Sequence, residues 1–292
     1  MAQIIGGLTT SHVPSIGKAI AQGQQQDPYW KPFFDAFHPV HGWLARGRPD
    51  VAVVIYNDHG LNNFLDKMPT FAIGAADHYH NADEGWGIPV LKPFKGDPAL
   101  SWHMIEHLVA HEFDITMCQE VQVDHAFTLP MALMYPGGRD WPIATVPVMI
   151  NSVQHPLPTP RRCFKLGQEI GKAIASFPAD KKIVLLGTGG LSHQLDGTRA
   201  GFINKEFDLW CMEKMRHDPE ALAALSIHEI IEKAGSQGVE LLTWITMRAA
   251  LQAAGQGEVR EVHSTYHIPI SNTGGAVMLF ETSGRAQALA AE

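Results

Sequence analysis

The sequence predicts an α/β protein: one domain over residues 1–292, with helices on both faces of a mixed central sheet, three layers in all. Three observations carry this expectation. Runs such as VAVVIY are apolar at every position and rich in β-branched residues, as strands buried on both faces are. Segments with apolar residues at helical spacing lie between those runs. No linker, internal repeat or low-complexity stretch divides the chain.

The strands are expected at residues 3–8, 51–56, 70–73, 143–150, 183–187 and 276–280. Helices are expected at 99–111, after the start signal Gly96-Asp97-Pro98, and at 162–176 and 204–216. A fourth, at 239–254, follows the turn Gly235-Ser236-Gln237-Gly238. Residues 74–98 are rich in Gly, Pro, Asp and His and read as a long surface excursion. Residues 151–160, with three prolines, read the same way. Long irregular loops in compact domains are often functional.

Composition narrows the function. With 45% hydrophobic and 18% charged residues, the chain can fold around a sizeable core. A net charge of −8 without long charged runs disfavours nucleic acid and anionic membrane as partners. No segment offers the ~20 consecutive apolar residues of a membrane span. The start, MAQIIGGLTTSHVPSIG, lacks a basic region and a long apolar stretch, so no signal peptide is expected. Cys118, Cys163 and Cys211 are odd in number and widely spaced. They predict no disulfide framework and fit a cytoplasmic location.

The ends of the strands carry the chemistry. VAVVIY stops at Asn57-Asp58-His59, three polar residues that a buried strand does not need. In open α/β sheets, ligands bind beyond the carboxyl ends of strands. The first strand likewise runs into Thr9-Thr10-Ser11-His12, and KIVLLG runs into TGGLSHQ, which holds His193. One such histidine reads as a structural residue bonded to a carbonyl; three on separate strands point to a shared cleft. Two imidazoles and one carboxylate make the facial triad of non-haem Fe(II) oxygenases. Glu240, in GSQGVELLTW, is a candidate carboxylate, with a plain helix-dipole role as its alternative. Zinc accepts the same ligands, so a Zn-dependent hydrolase is the rival from another class. GTGG lacks phosphate-loop spacing, and neither GxSxG nor HExxH is present.

The stretches TTSHVPSIG, YNDHG, ADEGWG, QVDHAF, GTGGLSHQLDG, RAGFINKEFD, GVELLTW and YHIPISNTGG run in order from about residue 3 to about 280. Together they resemble the beta subunit of the protocatechuate 4,5-dioxygenases, the catalytic chain of the class III extradiol ring-cleavage dioxygenases. The resemblance implies Fe(II) held by His12, His59 and Glu240. It gives His193 the acid–base role and sets His125 facing substrate or O₂, with a structural role as the alternative. Ser271 and Asn272 would hold the ring carboxylate, or simply form a turn. Asn57 and Asp58 would orient an imidazole, or cap the turn. The implied reaction, in aromatic hydrocarbon catabolism, cleaves protocatechuate with O₂ to 4-carboxy-2-hydroxymuconate semialdehyde. Gallate or another catechol acid is the alternative, because gallate dioxygenases share most of these motifs. A separate small helical alpha subunit is expected, two copies of each chain per assembly. The short Ala-rich tail after the last strand, in place of a fused extension, favours protocatechuate.

Overall fold

A computed structural model describes residues 1–85, 87–137, 140–254, 258–268 and 271–282. Trp86 of ADEGWG, Pro269 and Ile270 of YHIPISNTGG, and the Ala-rich tail lie outside the described residues. The strands are β1 (Gln3–Thr10), β2 (Val51–Tyr56), β3 (Phe71–Gly74), β4 (His78–Asn81), β5 (Phe94–Lys95), β6 (Thr116–Cys118), β7 (Gln122–Val123), β8 (Ala144–Ile150), β9 (Lys182–Thr188), β10 (Val259–His267) and β11 (Gly275–Thr282). The helices are α1 (Pro14–Ala21), α2 (Lys31–Asp35), α3 (His38–Gly47), α4 (Pro98–Ala110), α5 (His125–Met134), α6 (Pro160–Ser176), α7 (Lys205–His217), α8 (Pro219–Ala223), α9 (Ile227–Ala234) and α10 (Leu241–Ala253).

Eight strands form one sheet in the order β10-β11-β1-β9-β2-β8-β3-β6. The inner four, β1, β9, β2 and β8, are parallel, whereas β11 and β3 run antiparallel to their inner neighbours. This is the mixed sheet that the sequence predicts. Its inner strands are largely apolar because each face has its own core. Val51, Val53 and Ile55 enter one core, together with α4, α6, α7 and α10. Ala52, Val54 and Tyr56 enter the other, with α1, α3 and α5. Each fully buried Val or Ile contributes ~1.5–3 kcal/mol, which favours apolar residues on both faces of a central strand.

Several elements depart from expectation. The 74–98 stretch is not simply a surface excursion: β4 and β5 lie within it, and together with β7 they form a small second sheet. Tyr79 and Phe94 anchor it from inside the core, and Phe94 stacks on Trp141 at 4.4 Å. Strand β10 was not expected, nor were α1, α3, α5 and α9. Helix α9 had a readable start, because Ser226 and Glu229 form a complete capping box in SIHE.

Helices α6 and α10 pack backbone to backbone. A Cβ at Gly167 would lie 2.2 Å from the Thr246 carbonyl oxygen, and one at Gly171 would lie 2.3 Å from that of Ala250. The two glycines are four residues apart and so share one face of α6. Gly171→Ala should therefore lower stability by ~1–3 kcal/mol through overpacking. This should occur even though alanine is the better helix former by ~1 kcal/mol. The shift in urea midpoint measures it, and a more stable variant would contradict the close packing.

Candidate metal and catalytic site

Strands β1, β9 and β2 are neighbours in the sheet, so the loops leaving their carboxyl ends stand side by side, ~4.8 Å per strand. Those loops carry His12, His193 and His59. Helix α5 adds His125 at its first turn, and the short turn ahead of α10 adds Glu240. All five line one cavity of about 540 Å³. Helix α10 is docked onto the end of β9 by two bonds, from Thr243 Oγ1 to the Thr188 carbonyl at 2.7 Å and from Trp244 Nε1 to the Gly189 carbonyl at 2.9 Å.

Each of the four imidazoles has its Nδ1 held by an oxygen. His12 Nδ1 is 3.2 Å from Thr188 Oγ1, whose own proton goes to the Ala126 carbonyl at 2.8 Å. His59 Nδ1 lies 2.9 Å from Asp124 Oδ2, which also accepts the His59 backbone N–H at 2.8 Å. His125 is clamped by Glu84, its Nδ1 at 2.7 Å from one carboxylate oxygen and its backbone N–H at 2.7 Å from the other. His193 Nδ1 is 2.8 Å from Thr273 Oγ1, whose proton goes to the Ser271 carbonyl at 3.3 Å. These acceptors assign the proton to Nδ1 in every ring and leave Nε2 for the cavity.

Two of the Nε2 atoms converge on one oxygen. Glu240 Oε1 is 3.3 Å from His12 Nε2 and 3.6 Å from His59 Nε2. Its other oxygen, Oε2, accepts the Gly190 N–H at 2.8 Å. Gly189 makes room for this: its φ is +114°, and a Cβ there would lie 2.7 Å from Glu240 Cβ. Ligand atoms of His12, His59 and His125 lie within 4.8 Å of one another.

The electrostatics suit a cation. Burial by itself would raise Glu240, but His12 and His59 outweigh it and hold the carboxyl well below its usual range. Burial likewise opposes ionisation of Asp124, yet His59 brings its pKa down to about 2. Burial would lower His59, but Asp124 and then Glu240 reverse that and raise it to about 10. Burial dominates at His12 and lowers it, against the pull of Glu240. Two carboxylates thus flank a single imidazolium, that of His59, and loss of its Nε2 proton would leave two imidazole nitrogens facing one carboxylate oxygen. Two neutral nitrogens and one carboxylate are a fitting donor set for a divalent transition metal.

The remaining expected residues are placed less uniformly. Asn57 Nδ2 lies 3.1 Å from His59 Nε2 and 3.4 Å from Glu240 Oε1. The Asp58 carboxylate accepts from the Asn62 and Asn63 backbone and the Asn62 side chain, so its bonds cap the turn, and Asp124 is the carboxylate on His59. Ser271 and Asn272 stand behind His193 and do not line the cavity. Ser271 Oγ is buried with no partner among the described residues. Reading the sequence missed Glu84, Asp124, Thr188 and Thr273. Asp124 and Glu84 stand inside the quoted motifs QVDHAF and ADEGWG, and Asp124 is also the N-cap of α5.

Fold and site together define an α/β protein with a strand-end cluster of histidines and a carboxylate whose donor atoms could hold a metal ion. Residues 6–277 match the family described as the catalytic LigB subunit of aromatic ring-opening dioxygenase, and the chain belongs to that family. It is 40% identical to gallate dioxygenase from Pseudomonas putida over 205 residues, which are 70% of this chain and 59% of that protein's length. It is 29% identical over 268 residues to 2,3-dihydroxyphenylpropionate/2,3-dihydroxicinnamic acid 1,2-dioxygenase 1 from Dechloromonas aromatica, covering 76% of this chain and 82% of the other. A crystal structure of an uncharacterized Escherichia coli protein shares the fold, with TM-score 0.56 and 14% identity over 94% of this chain and 99% of that one.

Loss of an outer-shell partner usually costs ~10–100-fold in metal affinity. Asp124→Asn should do so here while leaving the α5 cap and the circular dichroism spectrum intact. Anaerobic metal titration measures it, and unchanged affinity would remove Asp124 from the metal centre.

Proposed function

We propose that residues 1–292 form one cytoplasmic catalytic domain of an extradiol dioxygenase that opens the ring of a catechol carboxylate with O₂. Protocatechuate, cleaved at the 4,5 bond, is the substrate of choice. Gallate is the second reading, favoured by the gallate dioxygenase relative. The observation that carries the proposal is the meeting of the His12 and His59 Nε2 atoms on one Glu240 oxygen, beside two further imidazoles whose Nδ1 atoms are also anchored.

His12, His59 and Glu240 would hold Fe(II), which when bound supplies the electron exchange between catechol and O₂ that their spin mismatch otherwise forbids. The protein's own groups do the rest. His193 Nε2 takes a proton from a substrate hydroxyl. The Nδ1–H bond to Thr273 keeps the ring in the tautomer that can accept it and steadies the imidazolium that forms. The same nitrogen later returns the proton to the opening ring. His125, its ring 4.2 Å from that of His59 and clamped by Glu84, presents Nε2 to the substrate or O₂. The cavity's volume is in the range for small-molecule sites. Its rim includes exposed Leu195, a surface for a separate helical alpha subunit to cover in an assembly with two copies of each chain. No helix among the described residues is long and apolar enough to cross a membrane.

Oxygen uptake by Fe(II)-reconstituted protein, with protocatechuate and gallate in parallel, tests the reading. Uptake matched to a yellow ring-fission product is expected, fastest on protocatechuate. Faster turnover of gallate would transfer the specificity, and zinc-dependent hydrolysis without oxygen would overturn the class. His193→Ala should keep its iron and lose about 10²–10⁴ in kcat, the usual worth of acid–base assistance. Glu240→Ala should fail to retain iron; a variant with full iron would break the triad.

A further inference from the structure

Helices α4 and α6 carry a second group of side chains of the kinds that ligate metals, which shares no residue with the strand-end cavity. His103, His107 and His111 recur every four residues along α4 and its C-cap, so they fall on one side of the helix. Their situations differ. His103 Nε2 is committed to α6, 3.0 Å from both the Ala173 carbonyl and Ser176 Oγ. His111 donates from Nδ1 to the His107 carbonyl at 2.7 Å, which leaves its Nε2 as a free lone pair on an exposed ring. The His107 and His111 rings stack with centroids 4.0 Å apart. His107 Nε2 is 3.1 Å from Glu169 Oε2 on α6.

We propose that His107, His111 and Glu169 bind a divalent zinc-class ion that fastens α4 to α6. The three ligand atoms already lie within 4.8 Å of one another. Bonds of ~2.0–2.1 Å to a tetrahedral zinc would set its nitrogens about 3.3 Å apart, which requires the exposed His111 ring to turn out of its stack on His107. The Nδ1-to-carbonyl bond of His111 is the arrangement by which metal-ligating histidines fix their tautomer. The His107–Glu169 hydrogen bond joins the helices, and the bond and stacking that hold His111 against His107 leave its Nε2 without a partner beside them. Lys172, 2.7 Å from Glu169 Oε1, stands in as the cation when metal is absent and competes with it.

The test uses the Fe(II)-loaded protein, kept anaerobic and dialysed against zinc chloride, with both metals counted per chain. The wild type should take up one zinc beyond its catalytic metal. His111→Gln should lose that zinc, by more than the ~10–100-fold that accompanies loss of an outer-shell partner. Being exposed, His111 tolerates this change without unfolding. His12→Gln, altered inside the cavity, should keep the extra zinc, and Lys172→Ala should bind it more tightly. Zinc should also raise the melting temperature of the wild type but not that of His111→Gln. Equal zinc uptake by wild type and His111→Gln, no extra zinc at saturation, or loss of the extra zinc in His12→Gln would each overturn the proposal.

Discussion

The site depends on one constraint: every imidazole that faces the cavity is held at Nδ1 by an oxygen from a different part of the chain. Thr188 ends β9, Asp124 caps α5, Glu84 lies in the stretch between β4 and β5, and Thr273 precedes β11. A histidine without such a partner can flip or change tautomer, and its Nε2 would then point anywhere. Here four separate segments must be in place before the four nitrogens converge, so the cavity is a product of the tertiary structure. The dependence runs both ways. Asp124 is fully buried and is satisfied by the His59 backbone, the His59 ring and the Ala126 N–H. A buried carboxylate stripped of such donors costs several kcal/mol, so the groups that shape the site also hold β2 to α5.

Charge explains why the two histidines that meet Glu240 are unlike. Both meet Glu240, but only His59 also meets Asp124. One proton therefore settles on His59, and His12 stays neutral in its buried place. That proton offsets only one of the two negative charges around His59. A dication in its place would offset both and would meet the His12 and His59 Nε2 atoms and the Glu240 oxygen.

The central strands were legible because burial on both faces makes them mostly apolar, and β2, with no polar residue at all, is read to its exact ends. Strand β10 was hidden because it is an edge strand whose Arg260, Glu261 and His263 break the apolar run. Helix α5 was hidden for the opposite reason: almost all its residues are buried, so no periodicity shows, and Pro130 sits inside it. His12, His59 and His193 stood out because each follows an apolar strand. Their anchors did not, because an anchor is defined by its partner. Asp124 lies 65 residues from His59, and Glu84 lies 41 from His125. No local pattern reports such a pairing.

The order of strands explains why the cleft opens where it does. Chain leaving β1 turns to α1, which packs in one core; chain leaving β9 goes on to α7 and α10, which pack in the other. These two strands are adjacent and parallel, so their loops part to opposite faces and leave a crevice between them, the switch point at which open α/β sheets bind ligands. His12 stands on one wall. His193 and Glu240 stand on the other, the latter reached through Gly189 and Gly190. The Gly189 N–H bonds the Thr10 carbonyl at 2.9 Å and keeps the walls from drifting apart at the base. Strand β2, next to β9 on its far side, then needs only a short polar extension to bring His59 across. The strand-end histidines are therefore the consequence of a parallel sheet whose middle strand enters last, from the opposite face.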